Sequence, residues 1–168
     1  MITTERLLLR PYQRDDYEPY LTMVSDPEPP APWRSAVSAE DAWHRVVRYV
    51  GHWTLFGYGN FAVIDRGSGL YLGETGFWDA HRGMGEGYDD FDETGWSIAS
   101  GWHRRGIAFE AADAAHRWYA GAVGKTRTVC MTDPANAPSI RLAVKLGYRP
   151  FRNGAYKGKA VVMFERFC

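Results

Sequence analysis

One stretch limits the architecture more than any other. Residues 93–100 (ETGWSIAS) form a β-prone run, residues 101–106 (GWHRRG) a short basic segment, and a helical pattern follows to about residue 121. In that pattern Ile107, Ala111, Ala114 and Trp118 recur at steps of 4, 3 and 4, which places them on one stripe of a helix. Residues 126–132 (TRTVCMT) then read as a buried strand. A strand, a crossover helix and a second strand pair in parallel. The unit therefore predicts a mixed α/β sheet with residues 93–100 parallel to residues 126–132, and excludes an all-helical or all-β fold.

The remaining elements fit around this unit. Residues 6–12 (RLLLRPY) read as a first strand, and residues 15–25 as a helix with Asp15 as N-cap. A proline-rich loop, DPEPPAPW, carries Trp33 and Arg34. Residues 38–41 (SAED) resemble a capping box, and the helix behind them presents Trp43, Val46, Val47, Val50 and Trp53 on one side. Residues 60–65 and 70–78 form a hairpin about RGSG. Residues 79–92 read as a long flexible loop rich in glycine and aspartate. Asn136 caps a last helix that Gly147 ends, and two final strands turn at Asn153-Gly154. The early strands pair antiparallel, and no repeat or linker divides the chain, so one domain over residues 1–168 is expected.

Twenty basic and twenty acidic side chains balance to zero, which argues against bulk attraction to nucleic acid or an anionic membrane. No apolar run reaches the roughly 18–20 residues of a membrane span, and no signal-peptide core opens the chain, so the expected compartment is the cytoplasm. Cys130 and Cys168 have no metal-like spacing and read as unpaired thiols, and the scattered histidines suggest no metal site.

On elementary grounds the start of the helix after residue 106 is either an anion site or an ordinary strand-to-helix turn with two solvated arginines. A helix N-terminus offers unpaired N–H groups and a partial positive charge, and Gly106 lets the backbone approach a phosphate. Arg104 and Arg105 stand where the helix dipole disfavours cations, which suits an anion site better than bare stability. The segment is neither a Walker A loop nor a GxGxxG fingerprint.

With those residues in view, the chain resembles the GNAT superfamily of acyl-CoA N-acetyltransferases, nearest to the branch of ribosomal-protein N-terminal (alanine/serine) acetyltransferases. The family's phosphate loop, Q/R-x-x-G-x-G/A, is matched by His103-Arg-Arg-Gly106-Ile-Ala108, with Trp102 before it. The family's later Asn-x-x-Ser and LGY signature is matched by Asn136, Ser139 and residues 146–148. The opening TERLLLRPY is also similar to that of the branch. The resemblance implies a central, mostly antiparallel sheet with a parallel splayed pair and about four flanking helices. It implies acetyl-CoA as cosubstrate and an amine acceptor, in a monomer or homodimer. Trp96, Ser97, Ile98 and Ala99 would hold the pantetheine arm, and His103, Arg104, Arg105, Gly106, Ile107 and Ala108 the pyrophosphate. Asn136 and Ser139 would reach the same arm.

Acyl transfer to an amine needs a proton acceptor, donors for the oxyanion, and little help for a thiolate leaving group. The resemblance points to Glu93 as general base and to Ser139 as proton donor to sulfur. Glu74, on the preceding strand, is the second candidate base. The family's usual tyrosine acid, seven residues after the asparagine, is replaced by Ala143. Trp33, Arg34, Trp78 and Tyr88 are expected to wall the acceptor site, whose occupant is a peptide N-terminus or a small-molecule amine. The alternative is a non-catalytic acyl-CoA-binding domain of the same fold.

Overall fold

The computed structural model describes residues 1–27 and 37–167. Eight strands form one sheet: β1 (Ile2–Thr3), β2 (Leu7–Pro11), β3 (Asn60–Asp65), β4 (Tyr71–Trp78), β5 (Asp92–Ile98), β6 (Arg127–Thr132), β7 (Arg149–Tyr156) and β8 (Lys159–Phe167). Their order is β1-β2-β3-β4-β5-β6-β8-β7. All neighbours are antiparallel except β5 and β6, whose parallel pairing is confined to Asp92 with Thr128 and Glu93 with Val129. Beyond Glu93 the two strands diverge, so the parallel pair expected along the whole of β5 exists only at its start.

Four α-helices cover the sheet: α1 (Tyr17–Ser25), α2 (Ala39–Phe56), α3 (Ile107–Ala122) and α4 (Ala137–Lys145). On one face α3 lays Ile107, Ala111, Ala115 and Tyr119 on Leu7, Leu9, Phe61, Val63 and Phe77. The small alanines let the helix approach, and Tyr119 stacks on Phe77 with ring centroids 4.0 Å apart. Replacing Phe77 by alanine there would cost about 3–5 kcal/mol. α4 joins α3 over β6 and β8 through Ala143, Leu146 and Cys130. On the opposite face α1 and α2 pack Tyr20, Met23, Ala42, Val46 and Tyr49 against Tyr12, Ala62 and Ile64.

Several local expectations shift. α1 starts one residue later than its expected cap, because Asp16 instead receives the Gln13 N–H (2.7 Å) and the Arg10 guanidinium (2.7 Å). Ser38 does cap α2, accepting the Asp41 N–H at 3.0 Å. The buried side of α2 is Ala42, Val46 and Tyr49, while Trp43, Val47 and Val50 are exposed. The helix turned its aromatic hydroxyl and smaller side chains inward, where the tyrosines of neighbouring elements gather. The final hairpin turns at Lys157-Gly158, where both φ angles are positive (50° and 76°), as a type I′ turn needs. Asn153 and Gly154 stay in the strand opposite Val162 and Val161, so the pairing runs four residues further than the Asn-Gly signal suggested.

The glycine-rich segment between β4 and β5 is packed and pinned. It lays Tyr88 on Val129, Val161 and Met163 and so does for that face of the sheet what a helix does elsewhere. Asp89 accepts the Arg82 and Gly85 N–H groups at 3.0 and 2.6 Å, and Arg152 reaches the Met84 and Glu86 carbonyls.

Candidate active site

The divergence of β5 from β6 leaves one edge of β5 open. The Ala99 N–H donates to the Leu72 carbonyl at 2.8 Å, toward β4. Alternation along a strand then turns the N–H groups of Trp96 and Ile98 to the open side. The Ile98 carbonyl on that side accepts from His103 Nε2 at 2.7 Å, so His103 closes the strand end and fixes the entry to the next loop.

That loop delivers the chain to α3 in an unusual conformation. Arg104 has φ +60° and Gly106 φ +77°. A left-handed non-glycine residue is sparsely populated and costs of order 1 kcal/mol. No side chain caps α3. Among the described residues, no N–H from Arg104 through Phe109 donates to a protein acceptor. The loop is held from outside: Arg6 donates to the Arg105 carbonyl at 2.9 Å and pairs with Glu110 at 2.6 Å, and Thr4 bonds the same carboxylate at 2.5 Å.

Across the opening lies the start of α4. Asn136 Oδ1 accepts the Ser139 N–H at 3.2 Å, which caps the helix and leaves the Asn136 amide nitrogen for another partner. These walls enclose a groove of about 660 Å³, lined by Trp96, Ser97, Ile98, His103, Arg104, Gly106, Ile107, Ala108, Asn136 and Ser139, with Met23 of α1 at one end. The arrangement offers strand-edge donors, a bare helix N-terminus and a polar helix cap in one channel. Such a channel suits an extended chain ending in phosphates.

The model of the acetyltransferase (GNAT) domain matches residues 6–149. The chain belongs to the GNAT family. It is thus an acetyltransferase, with acetyl-CoA as cosubstrate. A Bordetella pertussis protein assigned to the GnaT-family acetyltransferases is 31% identical, with 98% of each chain covered and a TM-score of 0.87. A Vibrio cholerae protein assigned as a ribosomal-protein-serine acetyltransferase is 22% identical over 99% of this chain and 97% of that one, with a TM-score of 0.79. The microcin C7 self-immunity acetyltransferase, solved with acetyl-CoA and AMP, has a TM-score of 0.76 at 11% identity, covering 98% and 94% of the two chains. The last two likenesses are of fold.

The other expected site residues of this GNAT chain fall in different places. Ala99 and Arg105 are outside the groove wall: Ala99 packs on the α1–α2 cluster, and Arg105 lies over the Trp102 ring at 4.9 Å. Glu93 is 4% exposed and is not brought to the groove. Both its oxygens are occupied by Arg82, whose Nε and Nη2 donate at 2.8 and 2.7 Å, while Nη1 of Arg82 reaches the Tyr156 hydroxyl at 2.9 Å. Tyr88 is 1% exposed beneath the 79–91 segment, so it is a core residue and not a wall of an open site. Trp78 is half-buried and lies across Gly95, where an added Cβ would stand 2.9 Å from its ring. Trp33 and Arg34 lie outside the described residues. Ala143 is 1% exposed in the cluster of Ala112, Cys130 and Tyr148. Burial pushes the Cys130 thiol well up, which makes it inert.

Beneath α3 runs a buried polar chain. His116 Nδ1 donates to the Ala112 carbonyl at 2.6 Å, which leaves Nε2 to accept from the Tyr148 hydroxyl at 2.9 Å. Tyr148 in turn meets Thr128 Oγ1 at 2.5 Å. Burial pushes the His116 imidazole down to about 4, so the ring is neutral.

Glu74 is the feature that sequence reasoning underrated. It is half-buried on β4, directly opposite Ser97 of β5. The Tyr12 hydroxyl donates to its Oε2 at 3.2 Å, and Tyr12 shares a 2.6 Å bond with the Tyr71 hydroxyl. Burial holds the Glu74 carboxyl above the ordinary range, opposed by hydrogen bonds from Tyr49 and Tyr12. The tyrosines come from α1, α2, β4 and the turn after β2, so no local motif announces them.

Proposed function

We propose that the groove binds acetyl-CoA with its pyrophosphate on the bare N–H groups of Arg104 through Phe109 and its pantetheine arm along the open edge of β5. The acetyl group passes directly to a primary amine, on a peptide N-terminus or a small molecule, in a ternary complex. The observation that carries this reading is the uncapped α3 N-terminus opening into a channel that continues to the unpaired N–H groups of Trp96 and Ile98.

The chemistry follows from the chain's own groups. Arg104 sits beside the N–H groups and adds charge without having to touch the phosphate. Asn136 is free to donate its amide to the arm while its carbonyl oxygen caps α4. The strand-edge amides orient the thioester and polarise its carbonyl as the amine attacks. Ser139, which lines the groove one turn before Ala143, gives a proton to the departing sulfur. A thiolate needs little such help, so a small alanine at Ala143 is compatible with turnover. Glu93 serves this site through Arg82, by anchoring the 79–91 segment against β5.

A thermal-shift comparison of acetyl-CoA, longer acyl-CoAs and ATP tests the donor. A ligand at a hundred times its Kd stabilises by about 2.7 kcal/mol. Stabilisation by acetyl-CoA and none by ATP is expected. The reverse order would remove the reading.

A further inference from the structure

The three fully buried carboxylates among the described residues each face a cation: Asp16 pairs with Arg10 at 2.7 Å, Asp92 with Lys125 at 2.9 Å and Glu93 with Arg82 at 2.7 Å. Glu74 breaks this pattern. It is surrounded by the rings of Tyr12, Tyr20, Tyr49 and Tyr71, and no described cation lies within ion-pair distance of it. The two nearest are engaged elsewhere: Arg45 donates to the Tyr20 hydroxyl at 3.3 Å, and Arg48 lies over the Tyr49 ring at 5.4 Å. A half-buried carboxylate with no ion-pair partner is costly, and the cost is recovered when a cation arrives. Phenol rings around an anion are also what an ammonium group prefers.

The position of this cluster is as telling as its content. Glu74 is the cross-strand partner of Ser97, which lines the groove, and directly opposed side chains lie about 5 Å apart. Met23 belongs both to the groove and to the tyrosine cluster. Two residues along, Gly76 pairs with Gly95; the Gly59–Asn60 backbone packs on Gly76 and the Trp78 ring lies on Gly95, so Trp78 bounds this face of the sheet beyond Glu74. An amine held at Glu74 therefore stands on the face of the sheet away from α3, about 5 Å (one strand's width) across β5 from its open edge.

We infer that Glu74, in its shell of tyrosines, is the acceptor subsite: it binds the ammonium group of the substrate and takes the proton that frees the nitrogen. The inference rests on the acetyl-transfer reading and names its acceptor. The balance is simple. The ammonium gives one proton to Glu74 and becomes an amine, whose lone pair forms the C–N bond as the C–S bond breaks. The nitrogen's second proton ends on the thiol of coenzyme A through Ser139, and Glu74 returns its proton to water. Arg45 and Arg48 act on the same carboxyl from α2 and repel further positive charge. The acceptor is therefore a primary amine carrying a single positive charge on a neutral or acidic body, such as a peptide N-terminus, and not a polyamine.

The test uses the full chain, acetyl-CoA, a dipeptide with a free N-terminus and spermidine. In wild type the dipeptide is acetylated more efficiently than spermidine. In Glu74→Gln, kcat/KM for the dipeptide falls about a hundredfold or more, as for loss of a general base, while KM for acetyl-CoA and the thermal shift it produces stay unchanged. The acid limb of the wild-type profile, set by Glu74 among Tyr12, Asp16, Tyr20, Arg45, Arg48, Tyr49 and Tyr71, disappears in the variant. A smaller loss with the limb retained, or a preference for spermidine, overturns the inference and leaves acetyl transfer standing. If wild type acetylates neither amine and acetyl-CoA does not stabilise it, the functional reading itself fails. Should Glu74→Gln not fold, Glu74→Asp keeps the charge but withdraws it, and a loss of about tenfold or more in kcat with an unchanged acetyl-CoA KM is the corresponding result.

Discussion

The two halves of the site are built from different materials. The donor half consists almost wholly of backbone: the open edge of β5, the bare N–H groups before α3, and an asparagine cap. The proposed acceptor half consists of side chains: one carboxylate, four phenols and Trp78 over Gly95. Backbone donors survive substitution, so the donor half tolerates His103 where the family's motif has Gln or Arg. Side chains do not, so the acceptor half is where one atom decides activity. Two carboxylates on the same face of neighbouring strands make the same point. Glu93 is locked by Arg82, which holds both its oxygens, whereas Glu74 is hydrogen-bonded only by neutral tyrosines.

The largest effect that could break this contrast is the exchange of roles between those carboxylates. Glu74→Gln is expected to abolish most turnover without loosening acetyl-CoA. Glu93→Gln should instead leave the Arg82 guanidinium without its buried partner and cost about 3–5 kcal/mol of stability, read by urea unfolding, with kcat of the folded fraction within a few-fold of wild type. Loss of turnover at full stability would return the base to Glu93.

Acid and alkali should strain opposite halves. His116, under the donor half, is held down to about 4 by burial. The unfolded state takes up a proton that the folded state refuses, so stability is intact above about 6.5 and falls as pH drops toward 4, by about 3 kcal/mol in all. Glu74 has the opposite sign. Its carboxyl is raised in the folded state, so wild-type stability declines as pH climbs from the ordinary carboxyl range through that raised value. Glu74→Gln should remove the decline, and chemical unfolding at pH 5 and 8 checks both limbs.

Smaller effects sharpen the donor half. Gly106→Ala forces a Cβ into a backbone at φ +77°, at a cost of about 1–2 kcal/mol. It should raise KM for acetyl-CoA about tenfold with kcat unchanged. Ser139→Ala is expected to lower kcat by no more than about tenfold, because the thiolate leaves with weak assistance.

Much of the donor half was legible in the sequence, for a physical reason. A helix start, its glycine and its cap are local, and Gly106, Asn136 and Gly147 mark them within a few residues. The strand–helix–strand unit likewise carried the topology. What was not legible depends on contacts between distant segments. Periodicity alone placed Trp43, Val47 and Val50 on the inner side of α2, yet Tyr12 just after β2 and the tyrosines of α1 and β4 drew Tyr49 inward. Asn153-Gly154 carried a strong turn signal, but continued pairing with β8 carried the chain on to Lys157-Gly158. The 79–91 segment read as loose because its glycines are local and its anchors, Arg127 and Arg152, are not. Glu74 stood second among candidate bases because a strand position alone says nothing about four tyrosines from elsewhere.

The central claim is that the groove carries an acetyl group to an amine. Its most direct test is mass spectrometry of a dipeptide incubated with the protein and acetyl-CoA, with free thiol followed in parallel. The account predicts one acetyl group on the N-terminal nitrogen for each thiol released, in wild type and not in Glu74→Gln. Thiol release with no acetylated amine would contradict it.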